Sequence, residues 1–254
     1  MKRLTIILAV LGMNLTTYSQ VKTIAHRGAS FTAPENTVAA AKQAWAQNAD
    51  AVELDIYLTK DSKVVVIHDK STKRTTGVDL LVAESTSEEL RKLDAGSFKG
   101  EQYKGEKIPF LEEMIATVPS NKQLIIELKC GVEVLPYLKE VVEKSGKKSS
   151  CCFIGFDWNT IAETKKMFPT NPCYWLTGKK DLLMEKLKAT AEAGIDGVDL
   201  HYKIIDEEVV NAAKQANLKV IAWTVDDIAE AKRLKELGVE GITTNKPAEI
   251  KSAL

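Results

Sequence analysis

The segment "ELDIYLTKDSKVVVIHD", Glu53 to Asp69, contains two strand-like halves around the turn-forming residues Lys60, Asp61 and Ser62. Residues two apart on a strand point the same way, so Glu53 and Asp55 share a face. If the halves pair as a hairpin centred on the turn, His68 returns to the level of Asp55, within a residue or two of register. The stretch therefore predicts an acidic pair met by an imidazole. It is also where the regular rhythm of the chain breaks.

Outside it, short β-branched runs alternate with segments of helical period, the pattern of repeated βα units. The predicted strands are Thr23–His26, Ala51–Asp55, Leu124–Lys129, Cys152–Phe156, Cys173–Thr177, Gly197–Leu200, Lys219–Thr224 and Gly241–Thr244. Helices with apolar faces are predicted at Thr37–Gln47, Glu133–Lys144, Thr160–Met167, Leu182–Ala193, Glu207–Gln215 and Ile228–Leu237, with Pro34 opening the first. Eight βα units in 254 residues match the usual size of a (β/α)8 TIM barrel. Residues 56–121, far longer than a normal βα loop, read as a small insertion after the second strand. No Pro/Ser-rich linker divides the chain, so residues 20–254 are expected to form one α/β domain.

Residues 1–19 read as a secretory signal peptide. Lys2 and Arg3 precede an apolar run from Leu4 to Leu11, too short to span a bilayer comfortably, and a polar stretch follows up to Ser19. The expectation is export, to a periplasm or out of the cell, with no stable membrane insertion after cleavage. Basic and acidic residues both number 35, and loss of Lys2 and Arg3 leaves 33 against 35. No basic field or zinc-finger spacing advertises nucleic acid, so the partner expected is a small molecule; the oligomeric state stays open. Cys130, Cys151, Cys152 and Cys173 form no CxxC pair, and both disulfides and buried thiols are compatible with their positions.

Glu127 and Lys129 repeat the i, i+2 geometry on the third strand. Carboxylates converging inside a barrel are costly unless a cation or protons compensate them. Hard oxygen ligands favour Mg²⁺ or Ca²⁺ over zinc. For either pair alone a salt-bridged structural network is an equal reading. All of these groups, however, fall at the C-terminal ends of predicted strands, where barrel enzymes carry their chemistry. The segment "TIAHRGASFTAPENT", Thr23 to Thr37, adds His26 beside Arg27 at the end of the first strand.

His26-Arg27-Gly28, Pro34-Glu35-Asn36-Thr37, Glu53-Leu54-Asp55, His68-Asp69 and Glu127-Leu128-Lys129 together resemble the glycerophosphodiester phosphodiesterase family in order and spacing. "RTTG" at Arg74–Gly77, "LDAGSF" at Leu93–Phe98, "IPFLEE" at Ile108–Glu113 and "AWTV" at Ala222–Val225 extend the resemblance, which covers Val21 to the C-terminus. It implies a (β/α)8 barrel with a small insertion, a divalent metal, and hydrolysis of glycerophosphodiesters to glycerol 3-phosphate and an alcohol.

Carried over by position, Glu53, Asp55 and Glu127 match the metal carboxylates. His26 and His68 match the acid/base pair, and Arg27 and Lys129 match groups that hold the phosphate. Which histidine is base, and whether water or the neighbouring glycerol hydroxyl attacks, stays open. Trp223 is a candidate wall for the glycerol carbons, or core. Glu35 and Asn36 either orient the site or start a helix, and Asp69 positions His68. Phe31 and His201 lie near the mouth without an assigned role. Two departures from the family pattern, "TTNKP" at Thr243–Pro247 in place of a TDRP-like ending and Gly155 where serine is common, are read as touching no metal or histidine position. The competing classes are a barrel that binds without turnover, disfavoured by the presence of both histidines, and Schiff-base chemistry at Lys129.

Overall fold

The computed structural model describes residues 21–254; residues 1–19, expected to be a signal peptide, lie outside the described residues. Among the described residues nine strands form one sheet: β1 (Lys22–Ala25), β2 (Ala51–Leu58), β3 (Val64–Val66), β4 (Gln123–Leu128), β5 (Cys151–Gly155), β6 (Cys173–Thr177), β7 (Gly197–His201), β8 (Lys219–Trp223) and β9 (Gly241–Thr244). Eight of them are parallel neighbours in the order β1-β9-β8-β7-β6-β5-β4-β2, and β1 pairs with β2 to close the ring. This is the (β/α)8 barrel. The ninth, β3, pairs antiparallel with the far end of β2, Ile56 opposite Val66 and Leu58 opposite Val64.

Alternation along the strands sorts the side chains. Val52, Leu54, Ile126, Leu128 and Phe153 point outward into the layer beneath the surrounding helices. Ile24, Ala51, Ile125, Cys152, Ile154, Tyr174, Leu176 and Ile221 fill the barrel interior. Glu53, Asp55 and Glu127 occupy inward positions on β2 and β4 above that apolar plug, all buried. A solid floor under ionisable groups keeps them at the C-terminal mouth.

The predicted hairpin forms with its turn centred on Asp61, and the Ile67 amide donates to the Asp55 carbonyl at 3.0 Å. The segment between β2 and β4 gathers a small core of its own from Val65, Ile67, Val82, Leu90, Ala95 and Ile108. It ends in a helix, Leu111–Ala116, whose Leu111, Met114 and Ile115 join the main core. That short helix is the barrel's second, unmarked by length in the sequence. Its first turn is tied down where the Phe110 amide donates to Glu113 Oε2 at 2.7 Å.

The first helix starts later than Pro34 suggested. It runs over Val38–Ala46, and Thr37 is its N-cap, accepting from the Ala40 amide; such a cap contributes about 1 kcal/mol. Pro34 sits in the preceding turn, where its carbonyl accepts from the Thr37 hydroxyl at 2.7 Å. The four cysteines are free thiols, three of them buried. Among the described residues no helix is long and apolar enough to cross a membrane.

Candidate active site

The chain leaves β1 through a sharp turn. Arg27 has φ 55 and Gly28 φ 81, and a Cβ on Gly28 would lie 2.6 Å from the Ala40 carbonyl carbon. Glycine is therefore required for the first helix to pack this close. The left-handed Arg27 backbone aims its amide at Glu53 Oε2, 3.0 Å away. The His-Arg-Gly sequence thus builds a corner that places His26 over the barrel and ties Arg27 to the acidic pair.

Glu53, Asp55 and Glu127 each offer a carboxylate oxygen within 4.8 Å of the others. Two oxygens, Glu53 Oε1 and Asp55 Oδ1, are buried with no hydrogen-bond donor. The remaining oxygens are positioned by the protein. Asn36 donates to Asp55 Oδ2 at 2.8 Å and accepts from the Asp55 amide at 3.2 Å, and Lys129 Nζ donates to Glu127 Oε1 at 2.9 Å. Burial, and after it the neighbouring carboxylates, push Glu53 well above the usual range and Glu127 up to about 7. Three hard oxygen donors, two with an orphaned oxygen, suit a divalent cation.

The histidines flank this cluster. His26 Nε2 lies 4.0 Å from Glu53 Oε2, while Nδ1 meets Asn245 Oδ1 at 2.7 Å. The Asn245 amide nitrogen donates to Asp226 Oδ2 at 2.6 Å, so its oxygen faces the ring and Nδ1 carries the proton. Burial first, then the Arg27 charge, pushes His26 down to about 4. His68 Nδ1 meets Asp69 Oδ1 at 2.6 Å, and Lys129 Nζ stands 3.3 Å from Nε2. Lys129 also faces Asp55 Oδ1 at 3.7 Å. Burial alone would lower its pKa, but Glu127 and Asp55 overrule that and raise it. A lysine held protonated in this way is unsuited to Schiff-base formation.

Outside these groups, Glu35 accepts from Arg27 at 2.9 Å and from both terminal nitrogens of Arg74 at 2.7 and 2.8 Å. Burial would raise Glu35, but the Arg74 and Arg27 bonds bring it down to about 2. Arg74 Nε also donates to Asp69 Oδ2 at 2.6 Å, so one guanidinium braces the supports of both Arg27 and His68. Asn36 is thus bonded to Asp55, Glu35 to Arg27 and Asp69 to His68, while the helix start falls to Thr37.

The cluster opens into a cavity of about 150 Å³ bounded by His26, Arg27, Glu53, His68, Glu127 and Lys129 on one side, and by Ile154, Phe156, Leu176, Asp199 and Trp223 on the other. Trp223 meets Phe156 and His201 edge to face. Phe31 is 59% exposed, under Lys246, and does not line the cavity.

Residues 26–249 match the glycerophosphoryl diester phosphodiesterase family. The chain belongs to that family. It is 36% identical over 229 residues to a glycerophosphodiester phosphodiesterase of Caldanaerobacter subterraneus subsp. tengcongensis, covering 88% of this chain and 93% of the relative. Its fold is similar to that of an Oleispira antarctica phosphodiesterase solved in complex with the product sn-glycerol-3-phosphate, with TM-score 0.86, 31% identity and coverage of 91% and 96%. A glycerophosphodiester phosphodiesterase of Parabacteroides distasonis follows at TM-score 0.78 and 27% identity, with coverage of 91% and 95%.

Against the family pattern one expectation is corrected. The "TTNKP" departure does touch a histidine position, because Asn245 is the residue that holds His26. Strand-by-strand reading missed it, since the contact spans 219 positions and is made by a loop residue after β9. Arg74, Asp226, Phe156 and Asp199 were likewise unassigned. For Asp199 a signal was present: an acidic residue at an inward position of β7, between Val198 and Leu200, which face outward.

Proposed function

We propose that this enzyme hydrolyses glycerophosphodiesters to glycerol 3-phosphate and an alcohol with the help of a divalent cation, Mg²⁺ or Ca²⁺. One observation carries the reading: three clustered, buried carboxylates with two orphaned oxygens, two of the three lining a cavity, stand beside two imidazoles on that cavity whose outer nitrogens are already bonded. Glu53, Asp55 and Glu127 would hold the cation. Bound there, it supplies charge neutralisation of a phosphodiester oxygen.

The chain's own residues account for the remaining work. Arg27 and Lys129 place fixed positive charge on opposite sides of the carboxylate cluster, suited to the other phosphate oxygens. His26, neutral above about pH 4 and protonated on Nδ1, presents the Nε2 lone pair to the site and is the general base. His68, whose outer Nδ1 is bonded to Asp69 Oδ1 at 2.6 Å, borders the cavity across from His26 and is assigned as the general acid for the leaving alkoxide. Asp69, held by Arg74, and Asn36, held by the Asp55 amide, keep the histidine and the carboxylate oriented. Trp223 and Phe156 form the apolar wall for the glycerol carbons. The basic and apolar order of residues 2–11 supports action outside the cytoplasm.

The test is phosphorus NMR on glycerophosphocholine and glycerophosphoethanolamine after chelation and re-addition of Mg²⁺ or Ca²⁺. Release of glycerol 3-phosphate should stop with EDTA and return with the ion. His26→Ala and His68→Ala should each reduce the rate by about 10²- to 10⁴-fold. Full activity in His68→Ala would remove it from the mechanism.

A further inference from the structure

Asp199 is the one acidic group lining the cavity that the proposed reaction does not use. It is 2% exposed, and its Oδ1 has no hydrogen-bond donor. It sits on β7, level with Leu176 and Ile221 on the neighbouring strands, and Trp223 Nε1 donates to its main-chain carbonyl at 3.2 Å. Around the ring β7 stands four staves from β2, so Asp199 faces the cavity from the wall opposite Glu53 and Asp55.

That position excludes two simpler roles. The oxygen donors that converge for a cation come from β2 and β4 and do not include Asp199. Nor does the fold gain from it: an unsatisfied buried carboxyl destabilises, and an apolar residue of similar size would serve β7 better. A polar group kept at such a cost, aimed into a ligand cavity, has its partner in the ligand.

We propose that Asp199 is a specificity-determining residue that accepts a hydrogen bond from a free hydroxyl of the substrate's glycerol unit. The inference rests on the functional reading above and adds a contact to it. With phosphate held between Arg27 and Lys129, the part of the ester that enters the cavity is bordered by Ile154, Leu176 and Trp223 for its carbons and by Asp199 for its hydroxyls. Burial first, and then the Glu127 charge, push the Asp199 pKa well above the usual range. A carboxyl that keeps its proton both donates and accepts, which suits adjacent hydroxyls.

Two phosphate monoesters test this by calorimetry on the ion-loaded enzyme: glycerol 3-phosphate, and propyl phosphate, which has the same phosphate and chain length without hydroxyls. Wild type should bind glycerol 3-phosphate about 10- to 100-fold more tightly, the worth of a buried hydrogen bond left unmade. Asp199→Leu should abolish the preference while leaving propyl phosphate binding unchanged. Asp199→Asn, still a donor and acceptor, should keep most of it. The ion-free, ligand-free Asp199→Leu protein should melt above wild type. If leucine is not accommodated, Asp199→Ala carries the same binding expectation. Equal affinity of wild type for the two esters, or equal loss of both in the leucine variant, overturns the proposal while leaving the phosphate site standing. Failure of wild type to bind either ester overturns the functional reading and this proposal with it.

Discussion

On one wall of the barrel mouth, β1, β2 and β4 and the turns after them present His26, Arg27, Glu53, Glu127 and Lys129, with Asp55 buried behind them; on the facing wall, β5 to β8 and the turns after them present Ile154, Phe156, Leu176, Asp199 and Trp223. The first wall is crowded with charge and uncomfortable without a ligand. Burial and mutual repulsion raise Glu53 and Glu127, and two oxygens find no donor. The second is mostly ordinary core that has been left uncovered. The contrast separates two tasks that a phosphodiesterase has to perform. Charge must be concentrated where phosphorus reacts, and shape must be offered where the ester group lies.

The largest effect should come from breaking the charged wall. Asp55→Asn keeps an acceptor for Asn36 but removes one of three negative donors. Losing several kcal/mol of electrophilic stabilisation corresponds to about a thousandfold fall in kcat/KM. The same substitution should raise the melting temperature of the ion-free protein, because it relieves repulsion among buried carboxylates. The pH dependence carries the sign of that strain. Glu127, raised from 4.5 to about 7 in the folded state by burial and then Asp55, contributes stability that is full below about pH 4.5 and is lost as pH rises through about 7. Ion-free wild type should therefore melt at progressively lower temperature from pH 5 to 8, and saturating Mg²⁺ or Ca²⁺ should flatten the curve. A curve of opposite slope would show that the carboxylates are not strained.

On the apolar wall the same logic predicts a smaller loss of a different kind. Trp223→Leu removes an aromatic face worth about 1 kcal/mol beyond its area, so KM for glycerophosphocholine should rise about tenfold while kcat changes little. A kcat loss as large as that of Asp55→Asn would erase the distinction between the walls.

How far the sequence reveals each wall depends on the range of the contacts. The charged wall is written in i, i+2 pairs on β2 and β4 and in a hairpin whose turn is local, so Glu53, Asp55, Glu127, Lys129 and His68 can be brought together by periodicity alone. The eight barrel strands are legible for a similar reason, since each is a short run in which β-branched or apolar residues recur between helical segments. The short helix Leu111–Ala116 is not, because six residues give too little period to separate it from the loops before it. Asn245 escapes because His26 lies 219 positions away in the chain, and the link Arg74 makes escapes because Glu35, one of its two partners, lies 39 positions away. Asp199 escapes for another reason: whether an inward acid meets a partner is a property of the packed interior.

The smallest expected effect concerns the join between strand β9 and the charged wall. Asn245 accepts from His26 Nδ1 and donates to Asp226, whose other oxygen accepts from the Thr244 hydroxyl and the Asn245 amide, both at 2.8 Å. A neutral partner leaves burial and Arg27 free to hold His26 near 4. Exchanging the two residues, Asp226→Asn with Asn245→Asp, retains a donor and an acceptor at this contact and moves the negative charge next to the ring. An adjacent carboxylate favours imidazolium, so the His26 pKa should climb back toward 6.5. A base must be unprotonated to act. At pH 8 with saturating divalent ion, kcat/KM should therefore stay within about threefold of wild type, while the acid limb of the profile moves up by about one pH unit, the ordinary size of a charged-partner effect. An unmoved acid limb would mean that His26 is not the group whose deprotonation the rate requires, and the base would have to be sought at His68.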